Sequence, residues 1–194
     1  MLTLYHSPMS RSTRMLWLLE ELGEPYEIKY VTIRRGDGTG APDPKNVHPE
    51  GKVPALVHDG KLVMESCAIC LYLSDAFPRA GLGPKIGEKD RADYLYWLFN
   101  YAADLEPVMM ARVTGGGEHP VMKRNYDQSM ARLTKALKAG DYLVGNKFTP
   151  ADILFGSAMQ WMRKEFPADA VYDRYVERLS ARPAFKRGAA KDAG

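Results

Sequence analysis

Hydroxyl and guanidinium side chains are concentrated at the predicted start of the first helix. Residues 7–14 read SPMSRSTR and contain three serines and two arginines. The first turn of a helix has unpaired backbone N–H groups and a partial positive charge, so it favours anions such as a carboxylate or a thiolate. A serine hydroxyl there can donate a hydrogen bond to a thiolate and favour its ionisation. Ser10 and Ser12 are the candidates, and simple capping of the helix is the alternative for both.

Arg11 and Arg14 add positive charge to the same segment. An arginine can hold a sulfur anion or a ligand carboxylate. An arginine in a first turn also opposes the helix dipole, so a solvated or structural ion pair is the alternative. We interpret Arg14 as structural and leave the role of Arg11 open.

A second group of polar residues flanks a predicted hairpin. Lys52 precedes Val53-Pro54, an X–Pro pair suited to a tight turn entering a strand. Glu65 and Ser66 begin the helix that follows the hairpin. The Ser66 hydroxyl and backbone N–H can receive a carboxylate, while Glu65 can bind an ammonium group. The alternatives are an ordinary loop lysine and a plain N-cap serine.

The two cysteines, Cys67 and Cys70, have the spacing of a redox pair. A redox pair of this kind should follow the first strand, at the start of the first helix. Residues 9–12 hold those positions and contain no cysteine. We therefore predict that both cysteines are packing residues of a later helix. The four histidines show no ligand spacing either, so we expect no metal site.

The elements that position these residues alternate at first between strand and helix. The pattern predicts β-α-β-loop-β-β-α over residues 1–77, and a mixed sheet covered by helices. The Asp59-Gly60 pair between two short apolar runs is a strong hairpin signal. The predicted strands are 2–5, 26–33, 55–58 and 61–64, and the predicted helices are 15–22 and 66–77.

Residues 78–87, PRAGLGPKIG, are interpreted as an interdomain linker, and the chain from 88 to 194 is predicted to be helical. Thr149, Pro150 and Asp152 predict a capping box at a helix start. Pro107 is expected to kink the predicted helix at 88–113. Pro183 is expected to end the last helix, with a frayed tail. The predicted helices are 88–113, 121–139, 151–164 and 169–181.

Composition excludes several classes of protein. The chain has 194 residues, 45% of them hydrophobic, and a net charge of +3, which is too small to indicate nucleic-acid binding. No apolar stretch approaches the roughly 20 residues that span a membrane. The N-terminus does not resemble a signal peptide, and two cysteines make no disulfide framework. We therefore expect a cytoplasmic protein that contacts neither nucleic acid nor membrane.

Taken in order, these motifs resemble the cytosolic glutathione transferases, in their serine-type, bacterial-like form. The resemblance covers nearly the whole chain and implies a thioredoxin-like α/β domain at 1–77, a linker at 78–87, an all-α domain at 88–194 and a homodimer. The segments that carry it are YHSPMSRSTRMLWLLEELGEPYE, HPEGKVPALVHDGKLVMES, ESCAICLYL and FTPADI.

The resemblance assigns roles to the residues of the first helix and the hairpin. It implies that Ser10 stabilises the glutathione thiolate, with Ser12 as the second choice and Tyr5 as a distant third. It also implies a cis proline after Val53. The sites implied for the rest of glutathione are Lys52 for its carboxylates, the Val53 backbone for its cysteinyl part, and Glu65 and Ser66 for its γ-glutamyl group.

The implied reaction is attack of the glutathione thiolate on a hydrophobic, electrophilic small molecule, as in detoxification. Glutathione is then a cosubstrate and no metal is needed. A serine at the first helix cannot form a mixed disulfide with glutathione, which favours transfer chemistry. A glutathione-dependent peroxidase, isomerase or dehalogenase on the same fold is the first alternative. A non-catalytic ligand-binding or interaction protein is the second.

Overall fold

The computed structural model describes residues 1–193, which fall into two compact units. The first unit comprises Met1–Gly81 together with the chain from Arg182 onward, and the second comprises Leu82–Ala181. The sequence pattern predicts that the chain from Arg182 onward belongs to the helical domain. Its contacts instead belong to the unit that contains the sheet.

The first unit is built on a four-stranded mixed sheet in the order β2-β1-β3-β4. Strand β1 pairs in parallel with β2 and antiparallel with β3, and β3 forms a hairpin with β4. The predicted order of strands and helices in this part of the chain is therefore confirmed. The bounds are β1 Leu2–His6, α1 Thr13–Leu22, β2 Tyr26–Tyr30, β3 Ala55–His58, β4 Lys61–Met64 and α2 Ser66–Ala76.

Helix α1 contributes much of the core of this unit. Its apolar residues recur at helical spacing, and Met15, Leu16 and Leu18 are fully buried. Gly23 ends the helix in the left-handed region, with φ of 75°, and its N–H donates to the carbonyl of Leu19 at 3.1 Å. A glycine adopts this conformation without the steric cost that other residues meet.

A further helix, α8, covers the other side of α1. It spans Pro183–Ala190, so the prediction that Pro183 ends the last helix and that a frayed tail follows is wrong. Pro183 instead occupies the first helical turn, where a missing N–H costs nothing. Gly188 lies against α1 so closely that a Cβ there would be 2.8 Å from the backbone nitrogen of Trp17.

Ion pairs attach the same tail to α1. Glu20 accepts from Arg187 at 2.7 Å and from Lys191 at 2.5 Å, and Glu21 accepts from Arg182 at 2.5 Å and 2.9 Å. Burial alone would raise the pKa of Glu20. The hydrogen bonds that it accepts, led by the one from Lys191, outweigh burial and lower the pKa to about 2.

The second unit is helical, as predicted. The predicted long helix at 88–113 contains a π-helical turn, Tyr101–Leu105, directly before Pro107. A π-helical turn next to proline re-routes the hydrogen bonds that the proline cannot make. None of the helices within residues 1–193 is long and apolar enough to cross a membrane. The helices of this unit are α3 Arg91–Asn100, α4 Glu106–Val113, α5 Pro120–Ala139, α6 Pro150–Trp161 and α7 Ala170–Ser180.

The predicted capping box at the start of α6 is confirmed. The Asp152 carboxylate accepts from the backbone N–H of Thr149 at 2.8 Å and from that of Leu143 at 3.0 Å. It also accepts from the Tyr175 hydroxyl at 2.7 Å. Burial raises the pKa of Asp152, and these donors oppose the rise. One buried carboxylate thus joins the helix start to a preceding turn and to α7.

Candidate functional site

Ser10 lies in the loop between β1 and α1 and is half-buried. Its hydroxyl is 2.6 Å from the carbonyl oxygen of Ser7 and 2.8 Å from the hydroxyl of Ser12. Ser12 is completely buried, and its backbone N–H donates to the Ser10 oxygen at 3.2 Å. The two candidate serines therefore form two layers, with Ser10 outside and Ser12 inside.

His6 stands behind Ser12 at the end of β1. Its Nδ1 is 2.7 Å from the Ser12 hydroxyl, which also accepts from the backbone N–H of Ser7 at 3.1 Å. The His6 ring is completely buried. His6 is not among the site residues predicted from the sequence. Its one local signal is its place between the first strand and the serine-rich loop.

Asp192, from the tail beyond α8, completes this cluster. Its carboxylate accepts from the backbone N–H of Met9 at 3.1 Å and from the Thr13 hydroxyl at 2.5 Å. Its carbonyl oxygen is 3.0 Å from Nε2 of His6. Burial lowers the pKa of His6, and Asp192 opposes that effect. No local pattern could have linked residue 192 to the first helix.

The loop itself is held by Arg35. The guanidinium donates to the carbonyl of Pro8 at 2.9 Å and to that of Met9 at 3.3 Å. Met9 has a φ of 51°, a conformation uncommon for residues other than glycine. Arg35 thus supports a loop conformation that costs energy to maintain. The sequence pattern predicts only a loop between the second and third strands and does not show this contact.

The two arginines of the segment differ in exposure. Arg11 is exposed, whereas Arg14 is 2% exposed and donates from Nε to the carbonyl of Arg11 at 3.3 Å. This burial agrees with a structural role for Arg14. Tyr5, the third candidate for the thiolate, is also buried and packs with Val53 in an apolar cluster.

The Val53-Pro54 bond is cis, as the resemblance implied. Val53 is buried, and the carbonyl of the preceding Lys52 accepts from the Asn46 side chain at 3.0 Å. Asn46 therefore fixes the backbone that enters β3. No sequence motif predicts this role for Asn46.

Three charged side chains act on Lys52 at this turn. The exposed Lys52 pairs with Glu50, which raises the pKa of Lys52. The charge of Glu65 raises that pKa further, and the charge of Arg11 opposes it. The charges of Glu65 and Arg11 therefore both reach Lys52. The residue before the cis turn thus senses one charge from the start of α2 and one from the segment before α1.

Glu65 and Ser66 stand at the N-terminus of α2. Glu65 has a φ of 66°, and the exposed side chain precedes Ser66, the first residue of the helix. A positive φ in a residue other than glycine costs about 1–3 kcal/mol and is found most often at functional sites. Ser66 is 8% exposed, with its hydroxyl at the positive end of the helix.

The cysteines lie in α2 and form no disulfide. Cys70 is fully buried and burial raises its pKa, which suits a packing residue. Cys67 is partly exposed. Within residues 1–193 no three His, Cys, Asp or Glu side chains are grouped so that they could hold a metal ion.

The arrangement as a whole suits an extended anionic ligand. It offers a half-buried hydroxyl at one helix start, the Val53 backbone before a cis proline at the start of β3, and a second helix start that attracts a carboxylate. An acidic side chain beside the second helix start can bind an ammonium group. All of these groups belong to the first unit.

Two family descriptions match the chain. Residues 8–76 match "Glutathione S-transferase, N-terminal domain" and residues 121–183 match "Glutathione S-transferase, C-terminal domain". Among relatives, glutathione S-transferase 3 of Schizosaccharomyces pombe is 28% identical, over 98% of this chain and 88% of its own length. Glutathione S-transferase GstA of Escherichia coli is 26% identical, over 81% of each chain.

Solved structures of similar proteins have the same fold. A glutathione S-transferase from Actinobacillus pleuropneumoniae superposes with a TM-score of 0.82 at 27% identity, covering 100% of this chain and 94% of the other. A sphingomonad glutathione S-transferase in complex with glutathione superposes with a TM-score of 0.79 at 27% identity, covering 98% of each chain. The expected thioredoxin-like domain with an all-helical domain is thereby confirmed.

Proposed function

The chain belongs to the glutathione S-transferase family of enzymes, and from that premise we propose that it ionises glutathione at Ser10 and transfers the thiolate to a hydrophobic electrophile. The observation that carries the proposal is the layering of the two serines. Ser10 is half-buried at the start of α1, whereas Ser12 is fully buried behind it. A hydroxyl that reaches the ligand is the one that can donate to its sulfur.

Ionisation is the step for which this site is suited. A free thiol has a pKa of about 8.5, so little of it is reactive at neutral pH. A hydrogen bond to a charged group contributes about 1.5–3 kcal/mol. At about 1.36 kcal/mol per pKa unit, one such bond from Ser10 lowers the thiol pKa by about 1–2 units. The start of α1 adds a favourable dipole.

The remainder of glutathione is proposed to bind along the backbone that enters β3 and at the start of α2. The Val53 backbone pairs with the cysteinyl part, and Ser66 receives the γ-glutamyl carboxylate. Glu65 binds the ammonium group, and Lys52 approaches a carboxylate. The mutual reach of Lys52 and Glu65 supports a ligand that carries both signs of charge.

Two further properties are proposed with the activity. A homodimer is favoured by aromatic side chains on α3 that face solvent, since Phe99 is 66% and Tyr96 43% exposed beside a groove of about 380 Å³. Light scattering of wild type and Phe99→Glu tests this, and a monomeric wild type would contradict it. A cytoplasmic location and a role in detoxification stay predictions.

The test of function is an ultraviolet difference titration of bound glutathione against pH. Wild type should show a thiolate with a pKa well below the free value. Ser10→Ala should return that pKa towards the free value, and Ser12→Ala should leave most of the depression. Loss of the depression only in Ser12→Ala would move the role to Ser12.

Other outcomes separate the alternative functions. Bound glutathione with an ordinary thiol pKa would argue against conjugation at this site. Peroxide turnover without conjugation would favour a glutathione-dependent peroxidase. No binding of glutathione would favour a non-catalytic interaction protein.

A further inference from the structure

Hydrogen bonds link Ser10 to Ser12 and Ser12 to His6. The donor and acceptor in each of them follow from which ring nitrogen of His6 carries the proton. Nε2 of His6 is 3.0 Å from the carbonyl oxygen of Asp192 and 3.4 Å from a carboxylate oxygen of the same residue. Both partners are acceptors, so Nε2 carries a proton. The buried neutral ring has only one N–H, which makes Nδ1 an acceptor.

The two serine hydroxyls follow from this assignment. Ser12 donates its proton to Nδ1 of His6 at 2.7 Å, because the competing carbonyl of Ser7 is farther away, at 3.3 Å. The Ser12 oxygen is then free to accept from the Ser10 hydroxyl at 2.8 Å. The Ser10 proton has a second acceptor, the carbonyl of Ser7 at 2.6 Å, so it can turn between the two.

We infer that Ser10, Ser12 and His6 form a path that carries the proton of the glutathione thiol to a buried imidazole. This inference rests on the proposed function, which supplies the thiol. The S–H bond breaks as the Ser10 oxygen takes its proton. Ser10 passes its former proton to Ser12, and Ser12 passes its own to Nδ1 of His6. One S–H bond is lost and one N–H bond is gained, leaving a thiolate and an imidazolium.

The proton transfer reverses the donor and acceptor in each of these hydrogen bonds. The reversed hydrogen bonds then stabilise the thiolate that the transfer has produced. Afterwards Nδ1 of His6 donates to Ser12, Ser12 donates to Ser10, and Ser10 donates to the sulfur. Each hydroxyl keeps one proton throughout. Hydrogen bonds that end on a charged group are about twice as strong as neutral ones, so the thiolate gains most in the reversed state.

Asp192 holds the other end of the path. Its carbonyl and carboxylate both face Nε2, and they favour the charged imidazole once the proton arrives. The Tyr30 ring packs edge-on against His6 at 5.5 Å between centroids, which fixes the ring plane. His6 does not touch the ligand. It is a positioning residue that acts through the two serines.

A purely structural role for these bonds predicts a neutral His6 in every state. The distinguishing measurement is nitrogen NMR of protein labelled at its histidines, recorded free, with S-methylglutathione and with glutathione. The ultraviolet thiolate band is recorded on the same samples. We expect a neutral His6 with Nε2–H in the free protein and with S-methylglutathione, which has no thiol proton, and an imidazolium with glutathione.

His58 is the internal control for this measurement. It pairs with Leu2 at the opposite end of β1 from His6, and its Nδ1 is 2.8 Å from the Tyr72 hydroxyl. We expect its signals to be the same with both ligands. A thiolate band together with a neutral His6 would overturn the proton path and leave the proposed function standing. Absence of the thiolate band in wild type would overturn both.

A second experiment follows the proton into the medium. In weak buffer, wild type should release fewer protons on binding glutathione than the number of thiolates formed. His6→Asn keeps an oxygen that accepts from Ser12 but cannot take up a proton, so its release should equal its thiolate count. His58→Asn should behave as wild type does. Equal release from wild type and His6→Asn would overturn the inference.

Discussion

Gly188 lies tightly against the backbone of the first helix, so Gly188→Ala should separate α8 from α1. The added Cβ would lie 2.8 Å from the backbone nitrogen and 2.9 Å from the Cα of Trp17. Backbone atoms cannot rotate out of the way, unlike the end of a flexible side chain. The two helices must therefore move apart, or α8 must leave its position.

The magnitude is a balance of two effects. Overpacking a tight contact costs about 1–3 kcal/mol, and a backbone clash belongs at the upper end of that range. Replacing glycine by alanine inside a helix returns about 1 kcal/mol through propensity. The net loss of unfolding free energy is therefore about 2 kcal/mol. For a chain of this size that corresponds to a fall in Tm of about 4–8 °C.

Urea and thermal unfolding measure the loss of global stability. Hydrogen exchange of the Met9 amide measures the loss of the local contact between the tail and the serine loop. Met9 is informative because its N–H donates to Asp192, which α8 carries into place. Gly36→Ala is the matched control, since a Cβ there meets nothing within 4 Å. If the Gly188→Ala variant is as stable as wild type and the Met9 amide is equally protected, the added Cβ does not force α8 away from α1 and the reasoning is refuted.

Four further predictions concern single side chains. Glu20→Gln should lower the free energy of unfolding by about 1 kcal/mol at neutral pH, after a discount for the exposure of its partners. The folded pKa of Glu20, about 2, lies below the unfolded value of about 4.3. The stabilisation is therefore present above about pH 4.3 and lost as the pH falls towards 2, which urea unfolding across that range would show. Arg35→Ala should weaken glutathione binding about tenfold by releasing the serine loop, measured by calorimetry; an unchanged Kd would contradict this role. Ser66→Ala should also raise that Kd about tenfold, with thermal stability nearly unchanged. Asp152→Ala should cost about 3 kcal/mol or more in thermal unfolding, because it leaves buried donors without an acceptor, and Asp152→Asn should cost less.

The features that the sequence predicted correctly are those whose causes are close together in the chain. The capping box joins Thr149 to a carboxylate three residues away, and both partners are visible in FTPADI. The hairpin depends on Asp59 and Gly60, which both adopt positive φ as a tight turn requires. In each case one short segment contains the donor, the acceptor and the required backbone conformation.

Helix α8 escaped prediction because its buried positions hold small residues, although Phe185 packs edge-on against Trp17. Ala184 and Gly188 are its buried positions, four residues apart, and neither adds to an apolar pattern. Large side chains there would hold α8 away from Trp17, so the close contact itself removes the signal. Pro183 was also misleading, because a proline that ends one helix can begin the next.

The candidate site shows the same division. Ser10, Val53 and Ser66 stand in local motifs, and the sequence pointed to each of them. His6 and Asp192 meet through a contact that spans 186 positions. A single sequence carries no sign of such a pairing, because the two residues share no local motif. The residues proposed to contact the ligand were therefore visible as local motifs, and the residues that contact them from behind were not.

The return of the tail to the first unit also sets an order of events during synthesis. The segment Leu82–Ala181 must be translated after the sheet and before the tail. At about 5–20 residues per second, these 100 residues take about 5–20 seconds. During that time a nascent chain has its sheet but lacks Asp192, so the Met9 amide and His6 have no partner from the tail. A finished serine loop therefore marks a chain that the ribosome has translated through residue 192.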